Sequence, residues 1–130
     1  MTDAMELTLT SPLDMHLHLR EPPLLAQVAP HTAGQFAGAV IMPNLVCPIT
    51  SLQQVQHYRQ EILKHCGTAD FEPYMTLFFQ AYSRAELIEA APWIIGVKLY
   101  PAGITTNSEH GVADLDGLDA TLSIMEELQI

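Results

Sequence analysis

Short, mostly uncharged runs alternate with longer stretches of helical period four times along this chain, and that alternation restricts the fold more than any single residue does. Residues 14–20 read as a first strand, stopped by Pro22 and Pro23, and residues 38–42, 74–79 and 94–99 read as the next three. The second of these is bounded by glycine and Pro43 and carries no charge, as a strand buried on both faces does. After the first strand, Leu24, Leu25 and Val28 make a short helical face ended by Pro30. After the second, Leu52, Val55, Tyr58, Ile62, Leu63 and Cys66 mark a longer helix, capped by Thr50 or Ser51 and closed by Gly67. Ser83 and Glu86 form a capping-box pattern that opens a third helix. Leu115, Leu118, Leu122, Met125 and Leu128 recur at helical spacing near the end, and residues 6–10 alternate weakly enough to predict a short lead-in strand.

Strand followed by helix, repeated, is the pattern of parallel α/β architecture. An open doubly wound sheet would carry a Gly-rich phosphate turn after its first strand, and no such pattern occurs here. The expected fold is therefore a parallel (β/α) barrel of the TIM type, with residues 1–130 supplying about the first four βα units as the N-terminal half of one domain. A hydrophobic content of 48% agrees with an apolar surface meant to be covered. Such a half-barrel alone would have a wet inner face and open edges, so the expectation is a fragment or a chain that associates through that face.

Charge removes one class of partner. Five Lys and Arg stand against fifteen Asp and Glu, a net charge of −10, with no basic cluster to attract nucleic acid. No run approaches the roughly 20 apolar residues of a membrane span, and the first ten residues lack the pattern of a signal peptide. Cys47 and Cys66 show no metal or disulfide spacing and fit a reducing, cytoplasmic compartment.

Chemistry concentrates at the strand ends. In a strand His16 and His18 project from one face, which makes half of a metal site, and Arg20 continues that face with a fork suited to a carboxylate. Met15, Leu17 and Leu19 are expected to pack on the other face. Asn44 follows the second strand, and Lys98 and Tyr100 come from the fourth. A lysine between Val97 and Leu99 either reaches solvent or an acidic partner, or loses its charge. Carboxylation by carbon dioxide would convert it to an anion with two oxygens, able to bridge two cations.

His16-Leu17-His18-Leu19-Arg20, Met42-Pro43-Asn44-Leu45 and, above all, the segment from Lys98-Leu99-Tyr100-Pro101-Ala102 through Thr105-Thr106-Asn107-Ser108 resemble the dihydroorotases, in the single-function bacterial form of the amidohydrolase superfamily. The resemblance covers nearly all of this chain and the first half of a family member. It implies a zinc-dependent enzyme that interconverts N-carbamoyl-L-aspartate and L-dihydroorotate in pyrimidine biosynthesis. Carried over by position, it makes His16, His18 and Lys98 the ligands of two Zn2+ ions bridged by carboxylated Lys98. It makes Arg20 and Asn44, with His18, substrate-binding groups, and places Thr105 and Thr106 on a loop that closes over the substrate. It also implies a homodimer. The sequence departs from the family pattern at Met15, at Glu21-Pro22, at Cys47-Pro48 and at Gly103.

The remaining zinc ligands and the general-base aspartate of that family belong to later strands. His31, His57, His65 and His110 do not fall where those ligands belong, and Asp114, Asp116 and Asp119 read as charges before or at the start of the last helix. Two other readings compete: another cyclic amidase, such as a hydantoinase or dihydropyrimidinase, and a catalytically incomplete half-barrel acting as a scaffold or regulatory module. Arg20, Asn44, Thr105 and Thr106 argue against the first, and bound zinc would argue against the second.

Overall fold

A computed structural model describes residues 5–67, 69–102, 112 and 118–130. Among them the order is β1 (Leu13–Leu17), α1 (Leu24–Ala33), β2 (Gly38–Ile41), α2 (Leu52–His65), β3 (Glu72–Tyr74), β4 (Thr76–Phe78), α3 (Arg84–Ala90), a 3-10 turn (Ala91–Trp93), β5 (Gly96–Lys98) and α4 (Leu118–Leu128). Every strand pair is parallel. β1, β2 and β3 form one sheet in that order, and β4 pairs with β5 in a second. The predicted third strand is thus two short ones flanking Met75. Its first half pairs with β2 and its second with β5, so the chain passes from one sheet to the other at this residue.

Helix starts follow local chemistry. The Ser51 hydroxyl accepts from the Gln54 N–H, and Ser83 with Glu86 closes a reciprocal capping box. Gly67, just past the end of α2, adopts φ +66°, a left-handed conformation that glycine reaches without steric cost. Pro30 does not end α1, which runs three residues further to Ala33. The ring removes one hydrogen bond to the carbonyl of Ala26, and Ala26 is exposed, so that carbonyl is left to water. Residues 6–10 form no strand.

Alternation along the strands sorts side chains onto two faces. Leu17, Ala39, Ile41, Leu77 and Val97 join the core with Leu25 and Ala29 of α1, Val55, Tyr58 and Ile62 of α2, and Leu87 of α3. His16, Phe78 and Lys98 are offset from these by one residue and belong to the opposite face, with Phe78 and Lys98 directly paired in register. Leu19 is fully buried, as expected, but Met15 is 66% exposed. It lies on the edge strand of its sheet, with only β2 beside it. In α4 the packed side is Ile124, Met125 and Leu128, with Thr121 buried, while Leu122 faces solvent. The placement of Leu115 lies outside the described residues. No described helix is long and apolar enough to cross a membrane.

β2 runs unusually close to β3. A Cβ added at Gly38 would stand 2.5 Å from the Glu72 carbonyl oxygen and 3.0 Å from the Tyr74 ring. Backbone cannot give way cheaply there. Gly38→Ala is therefore expected to lower stability by about 2 kcal/mol through overpacking; a melting temperature equal to the parent's would show that the two strands can part freely.

Candidate active site

The C-terminal ends of β1 and β5, with the first residues of the loops after β1 and β2, bring four predicted residues to one place: His16 and Lys98 on strands, His18 and Asn44 just past them. The Nε2 atoms of His16 and His18 lie 3.2 Å apart, with ring centroids at 5.2 Å. Lys98 Nζ lies 3.4 Å from His16 Nε2 and donates to Asn44 Oδ1 at 3.2 Å. Asn44 is buried in the loop that follows β2, whereas His16 is exposed and His18 half-buried, so the histidines are not core residues. The Lys98 amine also lies 5.4 Å from the centroid of Tyr100, whose ring meets Phe78 edge-on.

The electrostatics favour uncharged groups. Burial, then the positive charges of Lys98 and Arg20, then His16, push the His18 imidazole down to about 4. Burial also pushes the Lys98 ammonium below the usual lysine range. None of the ion pairs among the described residues involves Lys98, so no described carboxylate offsets that cost. A neutral imidazole presents a lone pair, and a neutral amine is a nucleophile.

Arg20 reaches the site by a different route from the one alternation predicts. β1 ends at Leu17, and Arg20 adopts φ +65°, in the left-handed region. Its carbonyl accepts from the Tyr58 hydroxyl at 2.8 Å. Its positive charge still contributes to the lowered basicity of His18, after burial and Lys98. Tyr58 reads in the sequence only as part of the apolar face of α2; nothing local signals that its hydroxyl leaves that face for the β1–α1 turn. Thr105 and Thr106 lie outside the described residues, as do His110, Asp114 and Asp116. His31 and His57 are exposed on α1 and α2, and Asp119 is an exposed first-turn residue of α4, as expected.

Two imidazole nitrogens sharing one tetrahedral zinc at about 2.0–2.1 Å would stand about 3.3 Å apart, close to the spacing found here. The donors therefore suit a borderline cation, but only as part of its shell. No group of three or more His, Cys, Asp and Glu able to hold a metal occurs among the described residues.

Fold and site together define a parallel α/β chain with a histidine pair and a lysine gathered at the C-terminal ends of its strands. Among known proteins, the chain is similar to dihydroorotases. The chain is 48% identical to the dihydroorotase of Delftia acidovorans over 124 residues, 92% of this chain and 36% of that protein. It is 43% identical to that of Synechocystis over 129 residues, 96% of this chain and 38% of that protein. Its fold matches the crystal structure of Campylobacter jejuni dihydroorotase with a TM-score of 0.89 at 49% identity, covering 92% of this chain and 36% of that one. A Saccharomyces cerevisiae dihydroorotase solved with 5-fluoroorotic acid matches with a TM-score of 0.79 at 36% identity, covering 89% of this chain and 33% of that one. No protein-family model matches. The resemblance to dihydroorotase thus holds in sequence and in fold, and the chain spans little more than a third of the relatives it matches.

The depressed basicity of His18 has a definite sign. Unfolded imidazole takes up a proton near pH 6.5 and the folded one near 4, so the unfolded state binds more protons between those values. Stability contributed by this group therefore falls as pH drops from about 6.5 to about 4 and changes no further below that. In the metal-free protein, ring-proton NMR should give His18 a midpoint near 4; a midpoint near 6.5 would mean that His18 is neither buried nor set beside these positive charges.

Proposed function

We propose that residues 1–130 are the N-terminal half of a single amidohydrolase (β/α)8 barrel domain, contributing about its first four βα units. On this reading the whole protein is a zinc-dependent dihydroorotase, which interconverts N-carbamoyl-L-aspartate and L-dihydroorotate on the route to UMP. The observation that carries it is the 3.4 Å approach of Lys98 Nζ to His16 Nε2. From β1 to β5 there are three interstrand steps, through β2 and the β3–β4 strand. At roughly 4.8 Å each, a flat sheet would keep side chains standing on it about 14 Å apart. Their meeting supports a sheet curled about the face that carries them, as a barrel wall is.

The donors divide the work. His16 and His18 would hold one zinc, and Lys98, once carboxylated, would bridge it to a second. When bound, the zinc pair supplies Lewis-acid polarisation of the ring amide and an activated water. Burial lowers the basicity of Lys98 and so eases loss of the ammonium proton; the amine then adds to carbon dioxide, forming one N–C bond as a second proton passes to solvent. The resulting carbamate removes a half-buried positive charge from beside two imidazoles, which offsets a cost that no described carboxylate meets. Arg20 presents a planar fork to the substrate carboxylate. The amide of Asn44 has an oxygen turned to Lys98 and an NH2 end of the kind a carboxylate accepts from. Thr105 and Thr106 would close over the ligand, His18 would also face it, and the protein would be a cytoplasmic homodimer. The exposed free thiol of Cys47 fits a reducing compartment.

The test is made on the full-length protein. Purified enzyme should carry zinc, show one added carbon dioxide on Lys98 by mass, and turn over dihydroorotate far faster than dihydrouracil, which lacks the ring carboxylate. Lys98→Ala should lose both zinc and at least about 1,000-fold in kcat. Preference for dihydrouracil would assign the chain to another cyclic amidase. Full zinc binding and activity in Lys98→Ala would remove the lysine from the site.

A further inference from the structure

We propose that Tyr58 and Glu21 form a two-point clamp that positions Arg20 and Asn44 relative to one another. The inference rests on the reading of those two residues as the pair that holds the substrate carboxylate. Arg20 has a left-handed backbone at φ +65°, a conformation that side chains with a Cβ disfavour. It persists where surrounding groups hold it. Two such groups are present, from different elements. The hydroxyl of Tyr58, a residue only 6% exposed in the middle of α2, donates to the Arg20 carbonyl at 2.8 Å. The next residue, Glu21, accepts through its carboxylate from the Val46 N–H.

Val46 lies two residues past Asn44 on the loop between β2 and α2. The Glu21 contact therefore ties the turn that aims the guanidinium to the loop that carries the amide. Tyr58 ties the same turn to the helix that begins after this loop. Two groups meant to share one carboxylate must keep a fixed separation, since a displacement of the order of an ångström is enough to lose the bidentate geometry. Here that separation is set by two hydrogen bonds, neither of which involves a group that touches the ligand or the metal. Glu21 is also a point where this chain departs from the pattern usual after the arginine, so the longer carboxylate arm is the element that reaches Val46.

Tyr58 and Glu21 are thus positioning residues, and the measurement that separates positioning from bulk stability is a division between KM and kcat. In the full-length protein, Tyr58→Phe should raise KM for dihydroorotate about tenfold while kcat stays within about twofold and zinc content is unchanged. Glu21→Ala should raise KM in the same way, and Glu21→Gln, which keeps an oxygen acceptor for the Val46 N–H, should recover most of it. An unaltered KM in Tyr58→Phe and Glu21→Ala would overturn the clamp, as would a parallel loss of kcat and zinc. Should Tyr58→Phe fail to fold, the comparison of Glu21→Ala with Glu21→Gln decides. Absence of dihydroorotate turnover in the unmodified protein would remove the functional reading and the clamp together; turnover with indifferent variants would remove the clamp alone.

Discussion

A lysine amine lying between an imidazole and an amide, with no ion pair to a carboxylate among the described residues, is the constraint on which the site turns. A charged ammonium there faces desolvation, and His18 beside it resists protonation through burial first and the nearby positive charges second. The lowered basicity of both His18 and Lys98 in this corner has dehydration as its common cause, to which nearby positive charges add at His18. Such a corner favours anions. A carbamate on the lysine and a carboxylate on the ligand each relieve it, and neutral imidazoles leave their lone pairs available to a cation. The same bias that costs the empty site stability makes it suitable for metal and substrate.

The geometry that creates this corner comes from sheet curvature. Lys98 and His16 belong to strands that are not neighbours, and no pairwise register brings them together. Their 3.4 Å approach is what the proposed inward curl of the strands between them accounts for. The division at Met75 belongs to this curvature. The segment from Glu72 to Phe78 pairs with β2 along its first part and with β5 along its last, so it carries the curl from one sheet to the next. Small residues help on the inner side, where the close approach at Gly38 leaves no room for a side chain.

How much of this was legible in the sequence depended on the range of the forces involved. Ser51 and Ser83 cap their helices through partners three residues away, so both starts could be read directly. The shared face of His16 and His18 was legible for the same reason, since it needs only the two-residue period of extended chain. Pro30 misled because its local cost is outweighed by the burial of Ala29 and Ala33 on either side of it. Arg20 misled because alternation stops at Leu17, and the turn beyond is held by Tyr58, thirty-eight residues away. The meeting of Lys98 with the histidines lay beyond composition and periodicity alone; it followed from reading the strand ends as one barrel mouth, and the resemblance to dihydroorotases implied it as well. Thr105 and Thr106 lie outside the described residues, so their role in the site rests on that resemblance alone.

The overall charge of the chain and the local charge of the site point in opposite directions. A net charge of −10 would repel the dianion proposed as substrate if all of it acted at the mouth. Screening limits that effect, because at physiological ionic strength exposed charges beyond about 8 Å are largely masked. Several of the acids whose positions are described lie away from the site: Glu72 is paired with Arg59, Glu127 with Arg84, and Glu86 is spent on its capping box. Arg20 acts at short range, where a charge counts for more than distant, screened ones do. A ligand carboxylate arriving at the strand ends therefore meets a cationic field that the distant acids cannot cancel. An acidic protein can hold an anionic substrate on these terms, provided that its few cations stay where Tyr58 and the curled sheet hold them.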